Sequence, residues 1–188
     1  MRNENKTRYF SSYSRPDKKG DYNPHSTAKS GIKREFDADL DLVWEAWTTA
    51  ELLDQWWAPA PLRNETKHLD FREGGYWLYT MLNENGERIK LNDQEIWSKW
   101  SYISIVDKES FTVKDGFCDE NGTINPVYAQ NFWETKFTEV NNRVLVTITS
   151  TFDKPEDLEQ TIEMGFREGF TMGLNQLEEL LGSLKNRK

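Results

Sequence analysis

The chain has 188 residues, with 24 Lys and Arg against 32 Asp and Glu, which gives a formal net charge of −8. The length fits a single domain, and because an acidic chain repels a phosphate backbone we expect no nucleic acid partner. No stretch is long and apolar enough for a membrane span, and a single cysteine without a secretory signal predicts a cytoplasmic protein.

The apolar residues are few but large. Only 36% of the residues are hydrophobic, yet the chain contains 8 Trp, 7 Tyr and 10 Phe. Each such ring buries about 150–250 Å² when it enters a core. The composition therefore predicts an interior walled by aromatic rings.

The first 31 residues differ from the remainder. They are rich in Lys, Arg, Ser and Asn and show no hydrophobic periodicity, which predicts a polar, basic and flexible extension at 1–31 and a folded domain at 32–188. Tyr9, Phe10, Tyr13 and Tyr22 leave a second interpretation open, in which the extension lies along its own acidic domain.

The folded part begins with a strand and two short helices. Residues 32–37 alternate as in a strand, and Asp39 or Asp41 can cap the helix that follows. Thr48 and Glu51 resemble a capping box, which predicts a second helix at 50–57.

The central hundred residues predict six further strands. Trp77, Tyr79 and Met81 share one face of a strand, and Trp133 and Phe137 share one face of another. Residues 88–106 predict one long, bent or bulged strand, because no single parity places all of their aromatic residues together.

The last segment predicts one long amphipathic helix. Apolar residues recur at helical spacing from 158 to 184, so thirty residues form a rod of about 45 Å. Gly165, Gly169 and Gly173 lie along the edge of its apolar stripe, and each costs about 1 kcal/mol of helix propensity. Two compensations are open: close packing against another backbone, or space for a ligand beneath the helix.

The sequence contains no motif for a metal, a nucleotide or another cofactor, so no metal and no cofactor are expected. Carboxyl groups on inward parity, Glu95 and Asp115 with Glu163 beside the helix stripe, are the candidates for orienting polar groups or for acid–base chemistry. The candidate ligand-binding residues are two of these acids, Glu95 and Asp115, together with nine large apolar or aromatic side chains. They are Trp77, Tyr79, Met81, Trp97, Phe111, Trp133, Phe137, Phe166, Phe170, Glu95 and Asp115.

Three separated motifs resemble one known family. The segments are VWEAWT at 43–48 with WWAP at 56–59, REGGYW at 72–77, and GFREGF at 165–170. They are similar to those of the family related to the activator of heat-shock protein 90 ATPase, within the START or Bet v 1-like (SRPBCC) superfamily. The resemblance implies an α+β helix-grip fold: a curved antiparallel sheet of about seven strands wrapped around a long C-terminal helix, with two short helices after the first strand and a cavity between sheet and helix.

The leading functional hypothesis is the binding of a hydrophobic or aromatic small molecule in that cavity, by a monomer or homodimer. One alternative is a cyclase, hydrolase or dehydratase type of enzyme that uses an inward carboxylate. Another is a protein-interaction or co-chaperone-like module, which an exposed aromatic patch would favour.

Overall fold

The computed structural model describes residues 7–13 and 27–186. This part of the chain forms ten strands and four helices. The strands are β1 (Arg8–Tyr13), β2 (Ala28–Phe36), β3 (Arg63–Leu69), β4 (Tyr76–Leu82), β5 (Lys90–Leu91), β6 (Gln94–Glu95), β7 (Trp97–Val106), β8 (Ser110–Cys118), β9 (Asn131–Val140) and β10 (Arg143–Phe152). The helices are α1 (Leu40–Thr48), α2 (Ala50–Trp56), α3 (Pro155–Glu163) and α4 (Phe166–Lys185).

Eight strands form one antiparallel sheet in the order β1-β2-β10-β9-β8-β7-β4-β3, and β5 pairs with β6 in a separate hairpin. α1 and α2 follow β2 along the chain and contact α4. Leu174, Leu177 and Leu181 of α4 are buried in the main core with residues of the sheet. The predicted α+β helix-grip architecture is confirmed, with α4 as its long C-terminal helix.

Local signals explain the start of α1 but not that of α2. Asp39 Oδ1 accepts a hydrogen bond from the Leu42 amide at 2.8 Å, so Asp39 is the N-cap. The predicted capping box at Thr48 is wrong, because the Thr48 and Thr49 hydroxyls donate back to carbonyls of the preceding turn. α2 begins after Thr49 without a side-chain cap.

The single strand predicted at 88–106 is also wrong. Asn92 and Asp93 both adopt positive φ, 52° and 63°, which are the conformations of a tight hairpin turn. The turn separates β5 from β6, and β7 starts anew at Trp97 with a bulge between Tyr102 and Ser104. The turn divides the predicted strand, whereas the bulge predicted within it is present in β7.

The thirty-residue rod is broken into α3 and α4. Gly165, the N-cap of α4, has φ 83°, a left-handed conformation that a helix interior cannot contain and that glycine adopts readily. The Gly165 amide donates to the Ile162 carbonyl at 2.9 Å and closes the end of α3.

The boundary predicted at residue 31 needs correction. β2 starts at Ala28, and β1 pairs along it as an edge strand. The Phe10 ring lies over Gly31, where a Cβ would come within 1.8 Å of it, and the Tyr9 hydroxyl donates to the Arg167 carbonyl of α4 at 2.8 Å. A ring that covers a glycine on the neighbouring strand stabilises an edge pairing that hydrophobic periodicity does not reveal. The remaining residues of 1–31 lie outside the described ranges.

The sheet has two faces, which we call the helix-side face and the outer face. The main core occupies the helix-side face, and a smaller cluster of Leu78, Trp97 and Cys118 covers part of the outer face. Within the described ranges, no helix combines the length and apolar character that crossing a membrane requires.

A candidate ligand cavity between sheet and helices

Alternation along the strands builds an aromatic wall on the helix-side face. On β4, Trp77 and Tyr79 are buried and their rings stack at a centroid distance of 3.9 Å. On β9, the buried Trp133 meets the rings of Phe166 and Phe170 edge-on at 5.6 and 5.3 Å. The period of two that characterises a strand therefore brings the large rings of the sheet against α4.

Trp57, the residue that ends α2, lies at the centre of this wall. Its ring lies 4.9 Å from that of Trp100, 5.3 Å from that of Trp77 and 5.6 Å from that of Phe170. Most of these pairs are edge-to-face, the arrangement that aromatic quadrupoles favour. Trp57 thus joins the short helices, the sheet and α4.

The rings do not fill all the space between sheet and helices, and we describe two compartments that residues within 27–186 line. The α3 compartment has a volume of about 230 Å³ and the α2 compartment about 240 Å³. The α3 compartment is lined by Ser30, Asp115, Gly116, Phe117, Ala129, Asn131, Trp133, Ser150, Phe152, Leu158, Thr161, Ile162, Met164 and Phe166. The α2 compartment is lined by Trp57, Pro59, Tyr79, Met81, Ser98, Trp100, Asp115, Phe117, Trp133, Phe166, Gly169 and Phe170.

Four residues line both compartments: Asp115, Phe117, Trp133 and Phe166. Three of them are apolar or aromatic, and the fourth is the one carboxyl group among all the residues that line either space. The two compartments therefore adjoin at a wall that carries a single acid.

Burial raises the pKa of Asp115 to about 6, while hydrogen bonds from Asn131, Trp100 and the Gly116 amide lower it in part. Asn131 Nδ2 lies 3.4 Å from the Asp115 carboxylate, and Asn131 Oδ1 is buried with no hydrogen-bond partner. Among the ion pairs of the described residues none includes Asp115. The wall thus presents a carboxylate that has neutral donors but no cationic partner, beside an amide oxygen that has no donor.

Tyr79, which lines the α2 compartment, supplies a neutral hydroxyl. Burial raises its pKa above the usual range, and the negative charge of Asp115 raises it further. Tyr79 therefore keeps its proton at physiological pH and can either donate or accept a hydrogen bond.

Six of the eleven predicted site residues line the cavity. They are Tyr79, Met81, Asp115, Trp133, Phe166 and Phe170. Trp77, Phe111 and Phe137 are buried in the core but line neither compartment. Their parity is correct, but neighbouring rings fill the space in front of them.

Glu95 and Trp97 do not reach the helix-side face. Trp97 packs with Leu78 and Cys118 on the outer face, and Glu95 is exposed in β6, where it pairs with Arg88 at 3.5 Å. Trp97 has the parity opposite to that of Ser98 and Trp100, which line the α2 compartment, and Glu95 lies in the β5–β6 hairpin outside the main sheet. Glu163 is likewise exposed, at the end of α3.

Sequence reasoning missed several lining residues. The position of Trp57 in the short helices predicts packing alone, and Asn131 lies at the first position of β9, where no alternation precedes it. Phe117 shares the parity of Asp115 on β8, so alternation is a usable signal for it. Ser98 and Trp100 share one parity on β7 and become recognisable once β7 is known to start at Trp97.

The glycine row has three different roles. A Cβ on Gly173 would lie 3.2 Å from the carbonyl oxygens of both Trp56 and Trp57, so this position serves close packing. Gly169 borders the α2 compartment, where a Cβ would meet only Pro59 at 3.6 Å. Gly165 forms the break between α3 and α4. Both compensations that the sequence left open are present, at different glycines.

The described residues contain no group of three or more His, Cys, Asp or Glu side chains arranged to hold a metal ion.

An antiparallel sheet packed against a long C-terminal helix, with two short helices inserted after β2, defines a helix-grip protein of the START and Bet v 1-like class. The chain belongs to the family of Activator of Hsp90 ATPase homolog 1-like proteins, whose family model matches residues 37–182. The motifs at 43–48, 56–59, 72–77 and 165–170 all lie within the matched range.

Solved structures show the same fold. A protein from Mycobacterium smegmatis is 27% identical with a TM-score of 0.71, covering 81% of this chain and 90% of that one. A protein from Arthrobacter aurescens is 28% identical with a TM-score of 0.73, covering 82% and 86%. An AHSA1 protein from Silicibacter pomeroyi, at 20% identity and a TM-score of 0.63 over 82% and 97% of the two chains, shares the fold. No curated protein matches the sequence.

Proposed function

We propose that the protein binds a hydrophobic or aromatic small molecule in the cavity between the sheet and the C-terminal helices. The observation that carries the proposal is the pair of adjoining compartments, about 230 and 240 Å³, whose lining includes eight aromatic side chains and a single carboxyl group. Small-molecule sites have volumes of about 300–1,000 Å³, are mostly apolar and carry a few polar groups. The two compartments together, with Asp115, Tyr79 and Asn131 as polar groups, match that description.

Gly169 offers a direct test. It borders the α2 compartment with only Pro59 nearby, so the Gly169→Leu side chain would occupy ligand space. Gly182 lies on the same helix and is exposed, and a Cβ added there would have nothing within 4 Å, so Gly182→Leu is the matched control.

The probe is the neutral fluorophore N-phenyl-1-naphthylamine, followed by flavonoids, polyketides and fatty acids as competitors. We expect saturable fluorescence enhancement with the wild type and with Gly182→Leu, and a loss of about tenfold or more in affinity with Gly169→Leu, because one leucine removes much of a compartment of this size. Equal affinity in both variants would place the probe outside the cavity and contradict the proposal. Native mass spectrometry of the protein from its own host then identifies a co-purifying ligand by mass.

One observation favours an enzyme as the second candidate. A carboxyl group with a pKa near 6 in an aromatic cavity suits a general acid or base. The lining residues of the two compartments include no His, Lys, Arg, Cys or Glu that would act with it, so binding is the better supported function. Conversion of any bound ligand by the wild type but not by Asp115→Asn, followed by mass spectrometry, would reverse this order.

An interaction module recognised through exposed aromatic residues has less support. All eight Trp side chains are buried, so the aromatic wall does not form an open patch on the surface.

A further inference from the structure

We propose that the natural ligand carries a protonated amine flanked by apolar groups, and that the amine binds Asp115 and Asn131 while the flanking groups occupy the two compartments. This inference rests on the proposed function and names the chemical class of its ligand. Its basis is the polar composition of the wall between the compartments.

The polar atoms of the wall between the compartments are hydrogen-bond acceptors that a positively charged donor can satisfy. The Asp115 carboxylate accepts hydrogen bonds only from neutral donors, Asn131 Nδ2 at 3.4 Å, the Trp100 side chain and the Gly116 amide, and it has no ion pair. Asn131 Oδ1 is buried without a partner and lines the same compartment. A buried acceptor without a donor is unfavourable, and neutral donors leave the charge of a buried carboxylate without a counterion. An ammonium group has only donors and can satisfy both.

No protein cation competes for this position. Neither compartment is lined by a Lys, Arg or His. The lysines nearest in the strands cover rings outside the cavity: Lys99 lies 4.7 Å from the Tyr76 centroid, and Lys114 lies 5.8 Å from that of the exposed Phe132. Of the groups that interact with Asp115, Tyr79 and Cys118 both have raised pKa values, about 11 for Cys118, and are neutral at physiological pH. Asp115 is the only charged group that a ligand meets.

The rings around Asp115 add to the preference for a cation. Trp100, Trp133 and Phe166 line the same space, and Trp133 meets Phe166 edge-on at 5.6 Å. The negative face of an aromatic ring attracts an ammonium group, most strongly where water is excluded. Carboxylate and ring faces together would disfavour an anionic ligand such as a fatty acid.

The position of Asp115 sets the position of the amine within the ligand. Because Asp115 lines both compartments, a group bound to it lies at their junction, with apolar volume on either side. A terminal amine would leave one compartment empty. A secondary amine between two apolar arms fits both.

The test compares three probes of similar shape at neutral pH, each displacing N-phenyl-1-naphthylamine from the full chain. Dibenzylamine is protonated, dibenzyl ether is its neutral counterpart, and dibenzylacetate is the anion. We expect the amine to displace the fluorophore at a concentration at least about tenfold lower than the ether, and dibenzylacetate to be the weakest, since a charge-assisted contact adds at least one factor of ten.

Two variants assign the preference to one side chain. Asp115→Asn keeps the shape and removes the charge, so it should bind amine and ether about equally. Glu95→Gln removes the same charge from the exposed hairpin and should keep the wild-type preference. A preference that persists in Asp115→Asn would overturn the assignment.

The outcomes separate the two proposals. If the ether displaces the fluorophore as well as the amine does from the wild type, the cavity binds apolar molecules and the amine inference is wrong. If dibenzylacetate is the best competitor, the inference is also wrong. If the fluorophore itself binds Gly169→Leu as tightly as the wild type, the proposed function fails instead. The wild-type comparison alone decides the amine question even if a variant does not fold.

Discussion

The two faces of the sheet both bury tryptophan, but they do so in different ways. On the outer face, Trp97 packs on Leu78 and Cys118, and its ring is covered by Lys67 and Arg88 at 5.3 and 5.2 Å. On the helix-side face, the rings meet one another edge-on around two compartments that hold a carboxyl group without a cation. The outer face is covered by its own charged side chains, whereas the helix-side face retains two compartments beside an acid that has no cationic partner.

This difference teaches that burial alone does not mark a functional aromatic residue. Trp97 and Trp133 are each 3% exposed, yet only Trp133 borders free volume. Free volume beside the ring is the better criterion, because unpartnered polar atoms occur on both faces: Arg88 Nε beside Trp97 and Asn131 Oδ1 at the cavity are both buried without a hydrogen-bond partner.

The strongest test of the difference between the two faces removes one tryptophan ring from each. Trp57→Ala removes the ring at the centre of the helix-side wall, and we expect a loss of about 3–5 kcal/mol in the free energy of unfolding together with weaker fluorophore binding. Trp97→Ala should lose about 3 kcal/mol, the lower end of the same range, and leave binding unchanged. Urea denaturation and the fluorophore titration measure both. If both variants weaken fluorophore binding equally, the expectation that only the helix-side face contributes to binding is wrong.

The second test uses pH. The pKa of Asp115 is raised from 3.8 to about 6 in the folded protein, so its contribution to stability is fully present below about pH 4 and is lost as the pH rises through about 6. The unfavourable burial of its charge at neutral pH amounts to up to about 3 kcal/mol. Asp115→Asn should therefore be more stable than the wild type at neutral pH by up to that amount.

Near pH 4 the two proteins should be about equally stable, because Asp115 is then protonated in the folded state. Urea melts across this pH range check the prediction, and Glu95→Gln, exposed on the hairpin, is the control. A constant difference between Asp115→Asn and the wild type at all pH values would show that Asp115 does not titrate in this window.

The third test separates two glycines on one helix. Gly173→Leu forces a side chain against the Trp56 and Trp57 carbonyls, and overpacking of this kind costs about 1–3 kcal/mol. Gly169→Leu points into the α2 compartment and should change stability by less, since it gains up to about 1 kcal/mol of helix propensity. Thermal unfolding gives the comparison. A larger loss for Gly169→Leu would mean that this compartment is not free space.

The smallest expected effect lies on the outer face. Lys67→Met keeps an apolar cover over Trp97 but removes the cation, so we expect a loss of about 0.5–1 kcal/mol. The fluorophore affinity should not change, because Lys67 lines neither compartment. Reduced fluorophore affinity in Lys67→Met would show that packing on the outer face affects binding in the cavity.

The fold followed from the sequence more fully than the site did. Alternation on β4 and β9 correctly placed Tyr79, Met81 and Trp133, because successive side chains of a strand point to opposite faces and the apolar ones mark the buried face. Parity specifies a face and not free volume, so it could not separate Tyr79, which lines the cavity, from Phe111, which does not. That distinction depends on how distant elements pack.

The misplaced residues have a more specific cause. The turn at Asn92 and Asp93 uses positive φ at two residues other than glycine, a weaker sequence signal than the Asn85-Gly86 pair nearby. Missing it placed Glu95 in a continuous strand of the main sheet instead of an exposed hairpin, and Trp97 was assigned to the wrong face because its parity is opposite to that of the cavity-lining Trp100. Trp57 could not be assigned to the cavity at all from local pattern, since it reaches the site only when α2 packs against α4.

The close approach of three indoles has a spectroscopic consequence. Trp57 lies 4.9 Å from Trp100, and Trp133 lies 5.4 Å from Trp100 and 6.2 Å from Trp57, measured between ring centroids. At such separations the transition dipoles couple, so the three rings share excited states and behave as one chromophore. All three border the cavity, whereas Trp97 lies on the opposite face of the sheet. The near-ultraviolet circular dichroism of this trio is consequently an intrinsic gauge of how the wall is arranged, and it needs no label.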